Sequence, residues 1–187
     1  MVAAAGASPV AVKRRDELAA VDGVVLPGGE STTIGKLAVM YGLLEPLRER
    51  LDAGMPAFGT CAGAILLARE ALHADGRPAD QPLLGGMDTV VRRNAFGRQV
   101  ASFEADLDVA GVEGGPMHAV FIRAPWIEHA GPQVEVLAVA PTPVGAKVVV
   151  ARHGRLLASA FHPELTGDGR LHAAFVRLVE QVRAAGG

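Results

Sequence analysis

The stretch "PAFGTCAGAILLA", Pro56 to Ala68, contains the chain's only cysteine, Cys61. Ahead of it, "PAFG" reads as a short buried strand; from Cys61 to Glu70, "CAGAILLARE" reads as a helix. Cys61 therefore stands at a strand-to-helix corner between Gly59 and Gly63. Small neighbours let a backbone bend sharply and let a substrate approach closely. A helix N-terminus beneath a thiol offers unpaired N–H groups and partial positive charge, both of which favour thiolate. "GTCAG" is the sulfur counterpart of the G-x-S-x-G elbow, in which the N–H of Ala62 would face a developing oxyanion. A free cysteine is also a common small core residue, and G-x-C-x-G alone does not separate the two readings.

Working outward, "PVAV" (Pro9 to Val12) and "GVVLP" (Gly23 to Pro27) read as further buried strands. "TTIGKLAVMYGLLEPLRERL" carries Ile34, Leu37, Ala38, Tyr41, Leu44 and Leu47 at helical spacing, interrupted near Gly42 and Pro46. This strand–loop–helix grammar predicts a parallel sheet covered by helices. The middle of the chain differs: "DTVVRRN", "RQVASFEADL", "HAVFIRAP" and "VEVLAVA" read as extended segments. "AKVVVARHGRLLASAFHPEL" reads as a hairpin turning at His153-Gly154. A final helix places Leu171, Ala174, Phe175, Leu178, Val179 and Val182 on one face.

The 187 residues, half of them hydrophobic, suffice for one domain with a full core. A formal charge of -2, spread without blocks, gives no electrostatic footprint for nucleic acid or an anionic membrane. No apolar run approaches the roughly 20 residues of a membrane span. A lone cysteine cannot close an internal disulfide, and with no signal-peptide pattern at the start the expected compartment is the cytoplasm.

A catalytic thiol needs a base, and six histidines compete. His153 reads as a turn residue, His172 as a helix-face residue, and His73 as following a helix end. His118 and His129 have no polar partner at a telling spacing. His162 differs, because Pro163 biases it to an extended conformation in which Glu164, two residues on, faces the same side. That supplies a base with an orienting carboxylate; a purely structural His–Glu pair is the alternative. In "LPGGESTTIGK", Leu26 to Lys36, the glycine and Ser/Thr spacing of a P-loop fails. Gly28 and Gly29 instead form a turn able to offer N–H groups to an anion, or else an ordinary strand–helix turn capped by Ser31 or Thr32. No histidine stands at zinc-ligand spacing from the cysteine, so no metal is expected.

Taken in order, "LPGGESTTIGKL", "FGTCAGAILLA", "RRNAFGRQVASFEADL", "VFIRAP" and "AFHPELT" resemble the class I glutamine amidotransferases. More narrowly, they resemble the glutaminase subunit of pyridoxal 5′-phosphate synthase, from about Ala11 to the C-terminal helix. The resemblance implies an α/β fold, a three-layer α/β/α sandwich with a mostly parallel central sheet and an antiparallel β excursion, as one domain over residues 1–187. It implies a Cys61–His162–Glu164 triad that hydrolyses glutamine through a thioester, with oxyanion donors from Gly29 and Ala62. Gly29, Glu30, Ser31, Arg93, Ile122 and Arg123 would line the glutamine site. The fork of an arginine suits the substrate α-carboxylate; only the resemblance selects Arg93 over Arg92, which could otherwise form a solvated charge pair. Ammonia would pass to a larger (β/α)₈-barrel synthase subunit. No cofactor is implied, since pyridoxal phosphate is the partner's product.

The family pattern opens with a strand ending in "LQG" and a helix, for which this chain shows no counterpart before "GASPVAVKRRDEL". Their absence would leave a sheet edge exposed and would fit an inactive binding module of the same fold. A DJ-1-like cysteine hydrolase is a further alternative, but it has no need of the "HPE" pair.

Overall fold

In a computed structural model that describes residues 1–96, 102–142 and 144–186, the elements follow in chain order. They are α1 (Arg15–Ala19), β1 (Val24–Leu26), α2 (Ser31–Met40), α3 (Leu44–Asp52), β2 (Ala57–Thr60), α4 (Ala62–Leu67), β3 (Ala68–Leu72) and β4 (Met87–Arg92). There follow β5 (Ser102–Leu107), β6 (Met117–Ile122), β7 (Trp126–Ala130), β8 (Glu135–Ala140), β9 (Lys147–His153), β10 (Leu156–Ser159) and α5 (Arg170–Gly186). The Gly97-Arg98-Gln99 part of "RRNAFGRQ", with the start of the extended segment that follows it, lies outside the described residues.

The main sheet runs β1-β2-β10-β9-β7-β4-β3, with β8 added onto β9, and β5 and β6 form a separate two-stranded ribbon. Pairing is parallel from β1 through β2 to β10 and between β3 and β4, and antiparallel across β10, β9, β7 and β4. Side chains alternate across this sheet as a two-sided strand requires. In β2, Ala57 joins the core under α2, α3 and α4, whereas Phe58 joins the core under α5 and the ribbon. In β10, Leu156 and Ala158 face the first core and Leu157 the second. The result is the expected three-layer α/β/α arrangement. On the ribbon side, Phe103 and Phe121 stack at 4.3 Å, and Phe121 packs against Phe161 at 5.5 Å. Phe121 and Phe161, both fully buried, each stabilise the fold by about 1.5–3 kcal/mol.

Several local expectations need correction. Residues 9–12 form no strand, and Val10 is exposed. A strand needs a ladder partner, and β1 has β2 on one side and, among the described residues, no strand on the other. The helix read through Glu70 ends at Leu67; Ala68 is already extended, and β3 pairs with β4 from Ala68↔Met87 to Leu72↔Arg92. That distant ladder overrides local helix propensity, so His73 follows a strand rather than a helix. Pro46 does not break its helix, because it sits in the first turn of α3, where its missing N–H costs nothing; the break is at Tyr41-Gly42-Leu43, with Gly42 at φ +64°. Leu37 and Tyr41 are exposed. The buried stripe of α5 takes in Leu171, His172, Phe175 and Val176.

Candidate active site

β2 delivers Cys61 to a corner shaped by glycine. A Cβ on Gly59 would overlap the backbone of Gly63, and a Cβ on Gly63 would overlap the carbonyl oxygen of Leu26. The first turn of α4 therefore crosses β1 and β2 at a distance only glycine permits. Cys61 itself sits at φ +50°, ψ -103°, a conformation costly for a non-glycine residue. Its N–H donates to the carbonyl of Ser159 at 2.8 Å, which anchors the corner to β10. Cys61 is 6% exposed, and Ala62, next to it, is the first residue of α4, whose N–H has no acceptor inside the helix.

β10 continues through Ala160 and Phe161 to His162, whose N–H donates to Val120 of β6 at 3.1 Å. The imidazole lies between two partners. Its Nδ1 is 2.8 Å from Oε1 of Glu164, and the side chain of Cys61 is close enough to the ring to favour its protonation. Glu164 reaches the ring from a 3-10 turn, Pro163–Leu165, rather than from the extended segment expected; Pro163 starts that turn. The neighbouring Cys61 side chain, followed by the hydrogen bond with Glu164, outweighs burial and pushes His162 up to about 10. Burial raises Glu164, yet the hydrogen bond from His162 and the backbone prevail and leave it below the usual carboxylate range.

The Gly28-Gly29 turn lies against the same imidazole. A Cβ on Gly28 would overlap Cε1 of His162, and Gly29 adopts φ +142°, which favours glycine. This steric role of Gly28 is not visible in the sequence, where the pair reads only as a turn. The N-cap of α2 is Glu30 rather than Ser31 or Thr32. Its carboxylate accepts from Thr32 N (3.1 Å), Thr33 N (2.7 Å) and Thr33 Oγ1 (2.8 Å). Burial opposes ionisation of Glu30, but these bonds dominate and hold it at about 2.

Arg93 and Arg92 part company. Arg93 Nη2 donates to Glu30 Oε1 at 2.8 Å, beside Gly29, whereas Arg92 turns to Glu128 of β7 at 2.9 Å. Neither is a merely solvated charge. Ser31 is 2% exposed, and its hydroxyl is bonded to Gln81, so its backbone is what remains for a ligand. Ile122 ends β6 two residues beyond Val120 and Arg123 follows it; Ile122 is exposed and Arg123 takes φ +44°. Thus the structure gathers Cys61, His162, Glu164, Gly29, Ala62, Glu30 and Arg93 at one end of the parallel strands, as expected of an α/β sheet.

Three of the remaining histidines are engaged elsewhere. His118, read as lacking a partner, bridges Asp106 (2.8 Å) and Glu104 (3.0 Å) across the β5–β6 ladder. His153 is the last residue of β9, and its Nδ1 accepts from the N–H of Asp88 at 3.3 Å. His172 is buried edge-on against Phe58. Among the described residues no group of His, Cys, Asp and Glu is placed to hold a metal, and no helix is long and apolar enough to cross a membrane.

The model of the SNO glutamine amidotransferase family matches residues 1–181. Pyridoxal 5′-phosphate synthase subunit PdxT of Frankia alni is 66% identical over 175 residues, 93% of this chain and 84% of the relative. Among solved structures, a glutamine amidotransferase superposes with a TM-score of 0.86 at 47% identity, covering 96% of this chain and 90% of its own. The glutaminase domain of Trypanosoma brucei CTPS shares the fold at 18% identity, with a TM-score of 0.57 and coverage of 89% and 74%.

Proposed function

The chain belongs to the SNO glutamine amidotransferase family, and from that premise we propose how its own residues hydrolyse glutamine for pyridoxal 5′-phosphate synthesis. The observation that carries the reading is the imidazole of His162, held between Glu164 at 2.8 Å and the side chain of Cys61 at a strained corner. The Cys61 thiolate attacks the side-chain carboxamide carbon of glutamine. The carbonyl oxygen becomes an oxyanion that the N–H groups of Gly29 and Ala62 stabilise. Arg93, oriented by Glu30, takes the substrate α-carboxylate, with Ser31, Ile122 and Arg123 completing the pocket.

Collapse of that intermediate expels the nitrogen, and His162 gives it a proton, so ammonia leaves and a γ-glutamyl thioester remains. The proton transfer is helped by the order of events. The neighbouring Cys61 side chain is the first of the groups that favour protonated His162; once the sulfur is bonded to the substrate carbon it carries no negative charge, and the imidazolium becomes a better acid. The resulting neutral imidazole then removes a proton from water, which attacks the thioester and releases glutamate. Glu164 keeps the ring oriented through both steps.

The chain acts as a single glutaminase domain in the cytoplasm and passes ammonia to a (β/α)₈-barrel synthase subunit. The family match and the relatives named as synthase subunits support this assignment. Glutamate release measured with and without that subunit tests it. Release that depends on the subunit and disappears in Cys61→Ala is expected; equal release by Cys61→Ala would refute it.

A further inference from the structure

Two oxyanion donors on two different elements, Gly29 ahead of α2 and Ala62 on α4, are useful only if their separation is fixed. An offset of about 1 Å can cost about 100-fold in rate. The segment 78–84 crosses between those elements and is tied to the fold at several points. Leu84 N donates to Leu66 of α4 at 2.7 Å, and Arg48 Nε of α3 donates to the Leu83 carbonyl at 3.1 Å. Next to these ties the strap lies on α2 so closely that a Cβ on Gly35 would sit 2.7 Å from the Pro82 carbonyl oxygen.

From this strap Gln81 reaches the first turn of α2. Its Oε1 accepts from Ser31 Oγ at 3.1 Å and from Thr32 Oγ1 at a longer 3.4 Å. Its Nε2 is buried and, among the described residues, has no hydrogen-bond partner. Burying half an amide unsatisfied is costly, and native folds seldom do so without a use for the other half. If the position only filled space, an apolar side chain would fill it without that cost.

We propose that Gln81 is a positioning residue for glutamine hydrolysis: through the Ser31 and Thr32 hydroxyls it fixes the Gly29–Ser31 turn relative to the nucleophile helix α4. The proposal rests on the oxyanion role assigned above to Gly29. It also makes the acceptor oxygen, not the amide nitrogen, the part that matters.

The test uses four versions of the chain, wild type, Gln81→Met, Gln81→Glu and Cys61→Ala, each with the synthase subunit present. Gln81→Met lowers kcat for glutamine hydrolysis roughly tenfold, a fraction of what removing an oxyanion donor outright would cost. Gln81→Glu, which retains the acceptor, restores kcat to within about threefold of wild type. Alkylation of Cys61 by iodoacetamide proceeds by direct displacement without an oxyanion, so its rate in Gln81→Met stays within about twofold of wild type. Wild-type kcat in Gln81→Met overturns the proposal. So does an equal loss of hydrolysis and alkylation together with a lowered Tm, or a Gln81→Glu variant as slow as Gln81→Met. Failure of the underlying site reading would look different: Cys61→Ala would still release glutamate.

Discussion

The ring of His162 occupies the space a Cβ would need at Gly28. The turn proposed to carry the oxyanion donor and the proposed base are thus packed directly against each other. Gly28 is not among the residues with positive φ, so alanine there would meet the imidazole rather than any backbone penalty.

Gly28→Ala therefore separates catalysis from folding. The added methyl displaces His162 and lowers kcat/KM for glutamine by about 100-fold, the scale of a lost general acid–base. Thermal denaturation checks the other half, with a Tm within a few degrees of wild type. A folded Gly28→Ala enzyme of normal activity would show that the ring can move aside.

The charge of Glu164 supports the imidazolium, so Glu164→Gln brings the His162 pKa down from about 10, although the larger support from Cys61 remains. The alkaline limb of the kcat/KM profile should shift to lower pH, with at least about a tenfold loss near pH 8. The same pKa has a stability signature. His162 binds its proton more tightly folded than unfolded, so its contribution is complete below its ordinary value of 6.5 and is lost as pH rises through about 10. Urea midpoints of wild type should fall across that window, and those of His162→Asn should fall less.

What could be read from the sequence follows the range of the interactions. The cysteine elbow and the His-Pro-Glu pair are short-range patterns: Gly59, Cys61 and Gly63 fall within five residues, and His162 and Glu164 are two apart. The strand β3 was hidden because Ala68–Leu72 is extended only through its ladder with β4, some 20 residues on. Likewise the partners of His118 lie on the opposite strand of the ribbon, and the contact of Gly28 with His162 spans most of the chain. The bond from Gln81 to Ser31 joins residues 50 apart. Such long-range contacts leave no local pattern in the sequence.

Glu30 joins two jobs, capping α2 and holding Arg93. Its folded pKa, lowered from 4.5 to about 2, makes its contribution to stability present above pH 4.5 and lost as pH falls through about 2. Glu30→Gln should remove that part of the acid dependence in urea titrations. It should also raise KM for glutamine several-fold, because Arg93 loses the partner that orients its fork. An unchanged KM would mean that Arg93 does not depend on Glu30 for its place.

The proposed mechanism requires the Cys61 sulfur to form the covalent bond to glutamine. A chloroketone analogue of glutamine, followed by peptide mapping and residual activity, tests it most directly. One equivalent of label on Cys61, activity lost in step with labelling, and protection by glutamine are expected. Activity surviving full labelling of Cys61, or lost with the label on another residue, would contradict it.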